Sequence, residues 1–121
     1  MQQGLAIYMK IITVTITADE LNEMACAMFG DMVKAVVDVG REVIALDAEL
    51  HSDLETLLLQ DGSKQSDLWG VNFYPAIHGD GFIEFDSMIN MRPSQNNRSR
   101  GVDDESIRNR IIETVHKRVA R

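Results

Sequence analysis

The sequence predicts an α+β fold: a mostly antiparallel sheet of about five strands with helices packed on one face, in the order β-α-β-β-α-β-β-α. Three observations carry that reading. Period-two runs rich in β-branched and aromatic residues recur along the chain. Two of them, Met32–Val39 and Glu42–Leu50, are separated only by Gly40-Arg41, which requires an antiparallel hairpin. The C-terminal segment instead repeats its apolar residues at helical spacing and orders its charges along the axis.

Lys10–Ile16 (KIITVTI) alternates, with Ile12, Val14 and Ile16 on one side, and reads as the first strand. Thr17 and Glu20 form a T-x-x-E capping box, and Ile16 and Leu21 sit at hydrophobic-staple spacing around it. The helix that follows buries Leu21, Met24, Ala25 and Met28, and Gly30 stops it. Cys26 falls off that stripe. In the hairpin, Gly40 is expected to supply a positive φ. Closing the turn at Val39 and Glu42 pairs Val37 with Ile44, Ala35 with Leu46 and Val33 with Ala48 on one face. Lys34 then meets Asp47 on the other.

Ser52 and Glu55 make a second capping box, and Leu54, Leu57 and Leu58 share a helical face, with Gly62 at C′. Residues 54–59 also suit a buried strand, since short apolar runs are ambiguous. Leu68–Tyr74 is a strand that alternates Trp69, Val71 and Phe73, and Pro75–Gly81 is a turn. Phe82–Arg92 reads as a strand of about twice the usual length, so a bend is expected in it. Asp103 caps the last helix, Val102 and Ile107 staple it, and Ile107, Ile111, Val115 and Val119 form its stripe. Glu113 and Lys117 stand at i, i+4 spacing.

The chain has 121 residues and a formal net charge of −7. That length fits one domain, expected over residues 9–121, with residues 1–8 an N-terminal extension or frayed arm. The acidic balance disfavours nucleic acid and anionic lipid as partners. No apolar run approaches the roughly 20 residues that span a bilayer, and residues 1–8 lack the form of a signal peptide. A single cysteine excludes an intrachain disulfide and fits a cytoplasmic location.

The densest set of donors is the loop Arg92–Arg100. Arginine forks match carboxylates and phosphates, and amide and hydroxyl side chains add neutral donors. Arg92, Asn97, Arg98, Ser99 and Arg100 are therefore the candidate ligand-binding residues, for a small anionic molecule or an acidic partner. The alternative is internal pairing of the arginines with Asp61, Asp67, Glu84 or Asp86. A second candidate is a metal-dependent or acid–base hydrolase centred on His51, Asp53 and Glu55. His78 with Asp80 repeats the His-x-Asp spacing, and Glu84 with Asp86 is a carboxylate pair. No recognised metal, nucleotide or nucleophile motif is present, so no cofactor is expected.

The blocks MVKAVVDV (Met32–Val39), ELHSDLETLLLQDGSKQSDLWGVNFYP (Glu49–Pro75) and FIEFDSMINMRPSQNNRSRGV (Phe82–Val102) resemble a family of small bacterial and archaeal single-domain proteins of unknown function. The resemblance covers roughly residues 9–119 and implies no activity. Its blocks contain His51, Asp53, Glu55, Asp61, Gly62, Ser63, Trp69, Gly70, Arg92, Pro93, Asn97, Arg98 and Ser99. Asp47-Ala48 stands where members look glycine-rich. The expected function is a non-enzymatic binding module acting through the Arg92–Arg100 loop. The hydrolase and a purely structural homodimer subunit are the alternatives. A homodimer is expected if one sheet face or edge is left open.

Overall fold

The β-branched residues after Met9 begin the sheet. In the computed structural model, which describes residues 9–121, β1 (Lys10–Ile12) is followed by β2 (Ile16–Thr17) and helix α1 (Ala18–Ala27). The hairpin β3 (Val33–Asp38) and β4 (Val43–Leu46) comes next, then helix α2 (His51–Gln60). Strands β5 (Leu68–Phe73) and β6 (Ile83–Glu84), helix α3 (Glu105–Arg118) and β7 (Val119–Ala120) complete the order. The main sheet runs β1-β4-β3-β5-β6 and is antiparallel throughout. The extension expected for residues 1–8 lies outside the described residues.

The hairpin has the register that face matching requires: Ala35 opposite Leu46 and Val37 opposite Ile44. Its turn is wider than expected. The strands end at Asp38 and Val43, and the left-handed residue is Glu42, at φ 59°, rather than Gly40. Asp38 accounts for this, because its carboxylate accepts the backbone N–H groups of Gly40 and Arg41 and winds the chain locally. Gly40 instead leaves room for the Asp67 carboxylate, which lies 2.5 Å from where a Cβ would be.

The first strand divides. Val14, expected on the same face as Ile12 and Ile16, is 70% exposed, and Ile16 pairs in parallel with Val119 in a separate two-stranded sheet. The capping box at Thr17 and Glu20 forms as read. Gly30, at φ 96°, ends that segment, its N–H reaching back to the Ala25 carbonyl. Cys26 is exposed. α2 is a helix rather than a strand, but it starts at His51, and its N-cap, Leu50, makes no side-chain capping bond. The Ser52–Glu55 box is therefore not formed. α3 is capped by Asp104 rather than Asp103, and Lys117 pairs with Glu42 of the hairpin turn at 2.6 Å rather than with Glu113.

The helices do not share one face. Val33, Ala35 and Val37 point into a core with Leu21 of α1 and Ile111 and Val115 of α3. Val36, Val43, Ala45 and Leu68 point the other way and pack against Leu54 and Leu58 of α2. Each of those leucines, fully buried, contributes on the order of 1.5–3 kcal/mol. α2 covers this second face because β3, β4 and β5 carry apolar residues on both sides, so both faces need a lid. The open face that would have favoured self-association is accordingly covered in part within one chain. No helix among the described residues is long and apolar enough to cross a membrane.

The long strand expected over Phe82–Arg92 is the largest departure. Only Ile83 and Glu84 pair with β5, and Met88–Asn90 turns as a 3-10 helix whose Ile89 N–H is capped by the Ser87 hydroxyl. Side chains then do what a strand backbone would have done. The Asn90 amide accepts the Gly70 N–H at 2.8 Å and donates to the Gly70 carbonyl at 2.9 Å. Gly70 has to be glycine, because Ser87 Cβ lies 2.5 Å from where a Cβ would be.

Candidate functional site

The non-strand path of residues 85–90 opens a cleft of about 460 Å³ on the α2 face of the sheet. Its floor is set by strand register. Lys34, Asn72 and Glu84 stand directly opposite one another across β3, β5 and β6. Neighbouring strands lie about 4.8 Å apart, so the row places a cation and a carboxylate on either side of an amide. One wall is the N-terminus of α2, with His51 and Ser52. The other is the chain from Asp86 to Ile89, with Arg100 beside it.

Each floor group has a defined partner set. Asn72 Nδ2 donates to Glu84 Oε1 at 2.9 Å and to the Asp86 carbonyl at 3.3 Å. Asn72 Oδ1 is buried beside the His51 ring and makes no hydrogen bond of good geometry among the described residues. The Tyr74 hydroxyl also donates to Glu84 Oε1, at 3.1 Å, leaving the second carboxylate oxygen free of these bonds. Partial burial first, and then the Glu84 carboxylate, makes the Tyr74 hydroxyl harder to ionise. Arg100 Nε holds Asp86 at 2.6 Å. Lys34 makes no ion pair among the described residues, and its ammonium lies 5.2 Å over the Phe29 ring.

His51 is anchored through Nε2, which donates to the Val71 carbonyl at 2.8 Å. Burial is the main influence on its ring and lowers its pKa. The nearby Lys34 charge acts in the same direction, while the Val71 bond, the Asn72 amide and Asp86 oppose them. With Nε2 carrying the proton, Nδ1 keeps a lone pair. The sign of the pH effect follows. An unfolded His51 takes a proton near pH 6.5, whereas the folded one resists it, so the unfolded state binds more protons in that window. Stability is expected to fall as pH drops from about 6.5 through the lower folded pKa. Melting temperatures at pH 7.5 and 5.5 check this, and His51→Gln, which keeps a donor for Val71, should flatten the difference. The depressed carboxylates of Glu42 and Asp103 act only in a more acidic range.

The residues expected to hold an anion separate. Arg92 is half-buried: Nη1 and Nη2 donate to the carbonyls of Gln65 and Leu68, and the guanidinium stacks 4.3 Å from the Trp69 ring centroid. It does not face outward, because the strand-free edge of β5 leaves carbonyls that need donors. Asn97 is 3% exposed, donating to the Asn90 carbonyl at 2.7 Å and the Gly101 carbonyl at 2.9 Å and accepting the Asp103 N–H at 2.8 Å. Ser99 donates to Asp103, which also takes the Arg98 N–H. The Arg98 guanidinium has no hydrogen bond among the described residues and is exposed. Of the five, only Arg100 lines the cleft.

Of His51, Asp53 and Glu55, only His51 reaches the cleft; Asp53 is exposed, and Glu55 accepts from Gln65 at 3.4 Å. No group of three or more His, Cys, Asp or Glu residues among the described residues could hold a metal ion. His78 lies elsewhere, 3.0 Å from Arg121. Glu84 and Asp86 do share one site, as their spacing suggested, although the strand ends between them. Sequence reasoning passed over Lys34, Asn72 and Tyr74 as site residues. The available signal was a lone amide inside the apolar run LWGVNF and a lone lysine inside VKAVVD. A second cavity, of about 400 Å³, lies between β6 and α3 and is walled mainly by Phe82, Ile83, Phe85, Ile112 and Val115, with fewer polar groups.

These features define an α+β protein with a polar cleft floored by its own sheet. The chain belongs to the family described as "Protein of unknown function (DUF5674)", which matches residues 10–118. No curated protein matches the chain. No solved structure matches it either.

Proposed function

We propose that this protein is a non-enzymatic binding module for a small polar molecule carrying an anionic group, received in the cleft between α2 and residues 86–89. The observation that carries this reading is the buried Asn72 Oδ1 left without a partner beside a cleft of ligand size. Buried polar atoms are nearly always satisfied, and ligand pockets usually run from about 300 to 1,000 Å³. Lys34 supplies positive charge on the floor, Arg100 stands at the wall paired with Asp86, and the uncapped start of α2 offers N–H groups. The arginine loop enters this reading through Arg100. Arg92, Asn97 and Ser99 hold the loop in shape, and the Arg98 guanidinium makes no hydrogen bond among the described residues.

Thermal shift across phosphate, nucleotides, sugar phosphates and amino acids tests the reading. At least one class is expected to raise the melting temperature in a dose-dependent way, by about 2.7 kcal/mol of stabilisation at 100 times its Kd. Ser52→Trp, which fills the mouth from an exposed position, should abolish that shift. Arg98→Ala should leave it intact. A shift lost in Arg98→Ala and kept in Ser52→Trp would move the site to the loop.

A further inference from the structure

The sign of charge along the cleft floor is ordered, and the order specifies a ligand. Asp86 is neutralised by Arg100 at 2.6 Å. That leaves Glu84 as the carboxylate of the floor without an ion pair among the described residues, and Lys34 as the cation without one. They sit at opposite ends of one cross-strand row, with Asn72 between them. The Lys34 side is reinforced by α2. Leu50 makes no side-chain cap, and the His51 and Ser52 N–H groups have no acceptor among the described residues, so the positive end of a ten-residue helix opens into the cleft.

The opposite end asks for a donor. Glu84 Oε1 already accepts from Asn72 and Tyr74, and its other oxygen receives neither bond. Asn72 Oδ1 also lacks a donor, and Asn72 is 5% exposed. A simple anion would satisfy the helix end and Lys34 but would leave these acceptors unmet and would face Glu84. A simple cation would have the reverse defect.

We infer that the ligand is a small zwitterion of the α-amino acid class, its carboxylate at Lys34 and the α2 N-terminus and its ammonium group at Glu84 and Asn72 Oδ1. This rests on the cleft being the binding site. Each charge then meets its complement, and mis-signed ligands are rejected by an unpaired charge at one end.

Isothermal titration of the full chain with glycine, L-serine and L-glutamine, against acetate and methylammonium, tests the assignment. At least one amino acid is expected to bind at least tenfold more tightly than either single-charge control. Lys34→Ala and Glu84→Gln should each weaken it at least tenfold, while Glu84→Gln leaves acetate binding unchanged or stronger. Lys34 is half-buried and Glu84 is exposed, and circular dichroism verifies that both variants fold. Acetate or inorganic phosphate binding as tightly as the amino acids, and blocked by Ser52→Trp, would overturn the zwitterion while leaving the cleft as the site. No binding by any of these probes would overturn the zwitterion, and an empty thermal-shift panel beside it would overturn the cleft as well.

Discussion

Asn90→Ala is expected to destabilise the protein by about 3–5 kcal/mol, a loss that urea denaturation with unchanged slope would register. Asn90 is fully buried, and its amide bonds both the N–H and the carbonyl of Gly70 and also donates to the Arg100 carbonyl at 2.9 Å. Removing it leaves three backbone groups without partners in a site closed to water, each costing about 1–3 kcal/mol, with partial relaxation reducing the sum. The backbone carbonyl of Asn90 also takes the Asn97 amide, so the turn and the loop beyond it loosen together. Asn90→Asp should be nearly as damaging. It keeps an acceptor for Gly70 N–H but turns the donor toward two carbonyls into a buried charge. A loss below about 1 kcal/mol in Asn90→Ala would mean that the edge of β5 does not depend on this side chain.

Arg92→Ala is expected to cost about 2–4 kcal/mol and to leave ligand affinity in the cleft unchanged. The guanidinium bridges the Gln65 and Leu68 carbonyls while lying flat on Trp69, itself 1% exposed. Truncation strands both carbonyls and uncovers the indole. Arg92→Lys should recover less than half of the loss, because an ammonium on a flexible stem cannot bridge two acceptors in a plane and stack at once. Chemical denaturation measures the stability, and titration with the best cleft ligand measures the affinity. Lost binding with unchanged stability would return Arg92 to the role of a ligand-holding residue.

Local chemistry made parts of the fold readable in advance. The Thr17–Glu20 box and the hairpin register each depend on residues a few positions apart, and both form. The segment after Phe82 was misread because FIEFD alternates as a strand does. The decision lies instead with Ser87 and Asn90, whose partners are on β5 some 17–20 residues away. Layering was misread for a similar reason. The polar residues Lys34, Asp38 and Asn72 interrupt the second face, which hides the patch formed by Val36, Val43, Ala45 and Leu68 under α2.

The site was legible only in pieces. His51, Glu84, Asp86 and Arg100 each stood out by chemistry, but nothing local says that they meet. Their meeting depends on β3 pairing with β5 and β5 with β6, which places Lys34, Asn72 and Glu84 in line. The loop arginines drew attention by density alone. Density marks both a binding loop and a loop that must tie up exposed carbonyls, and Arg92 is of the second kind.

The cleft as the binding site is tested most directly by a nitrogen–proton NMR titration with L-serine, following backbone and side-chain amides together. Shifts should concentrate at the His51 and Ser52 N–H groups, at Asn72 Nδ2 and at Arg100, with residues 93–99 nearly unmoved. Shifts confined to Arg98 and its neighbours, with the Asn72 side chain silent at saturation, would contradict it.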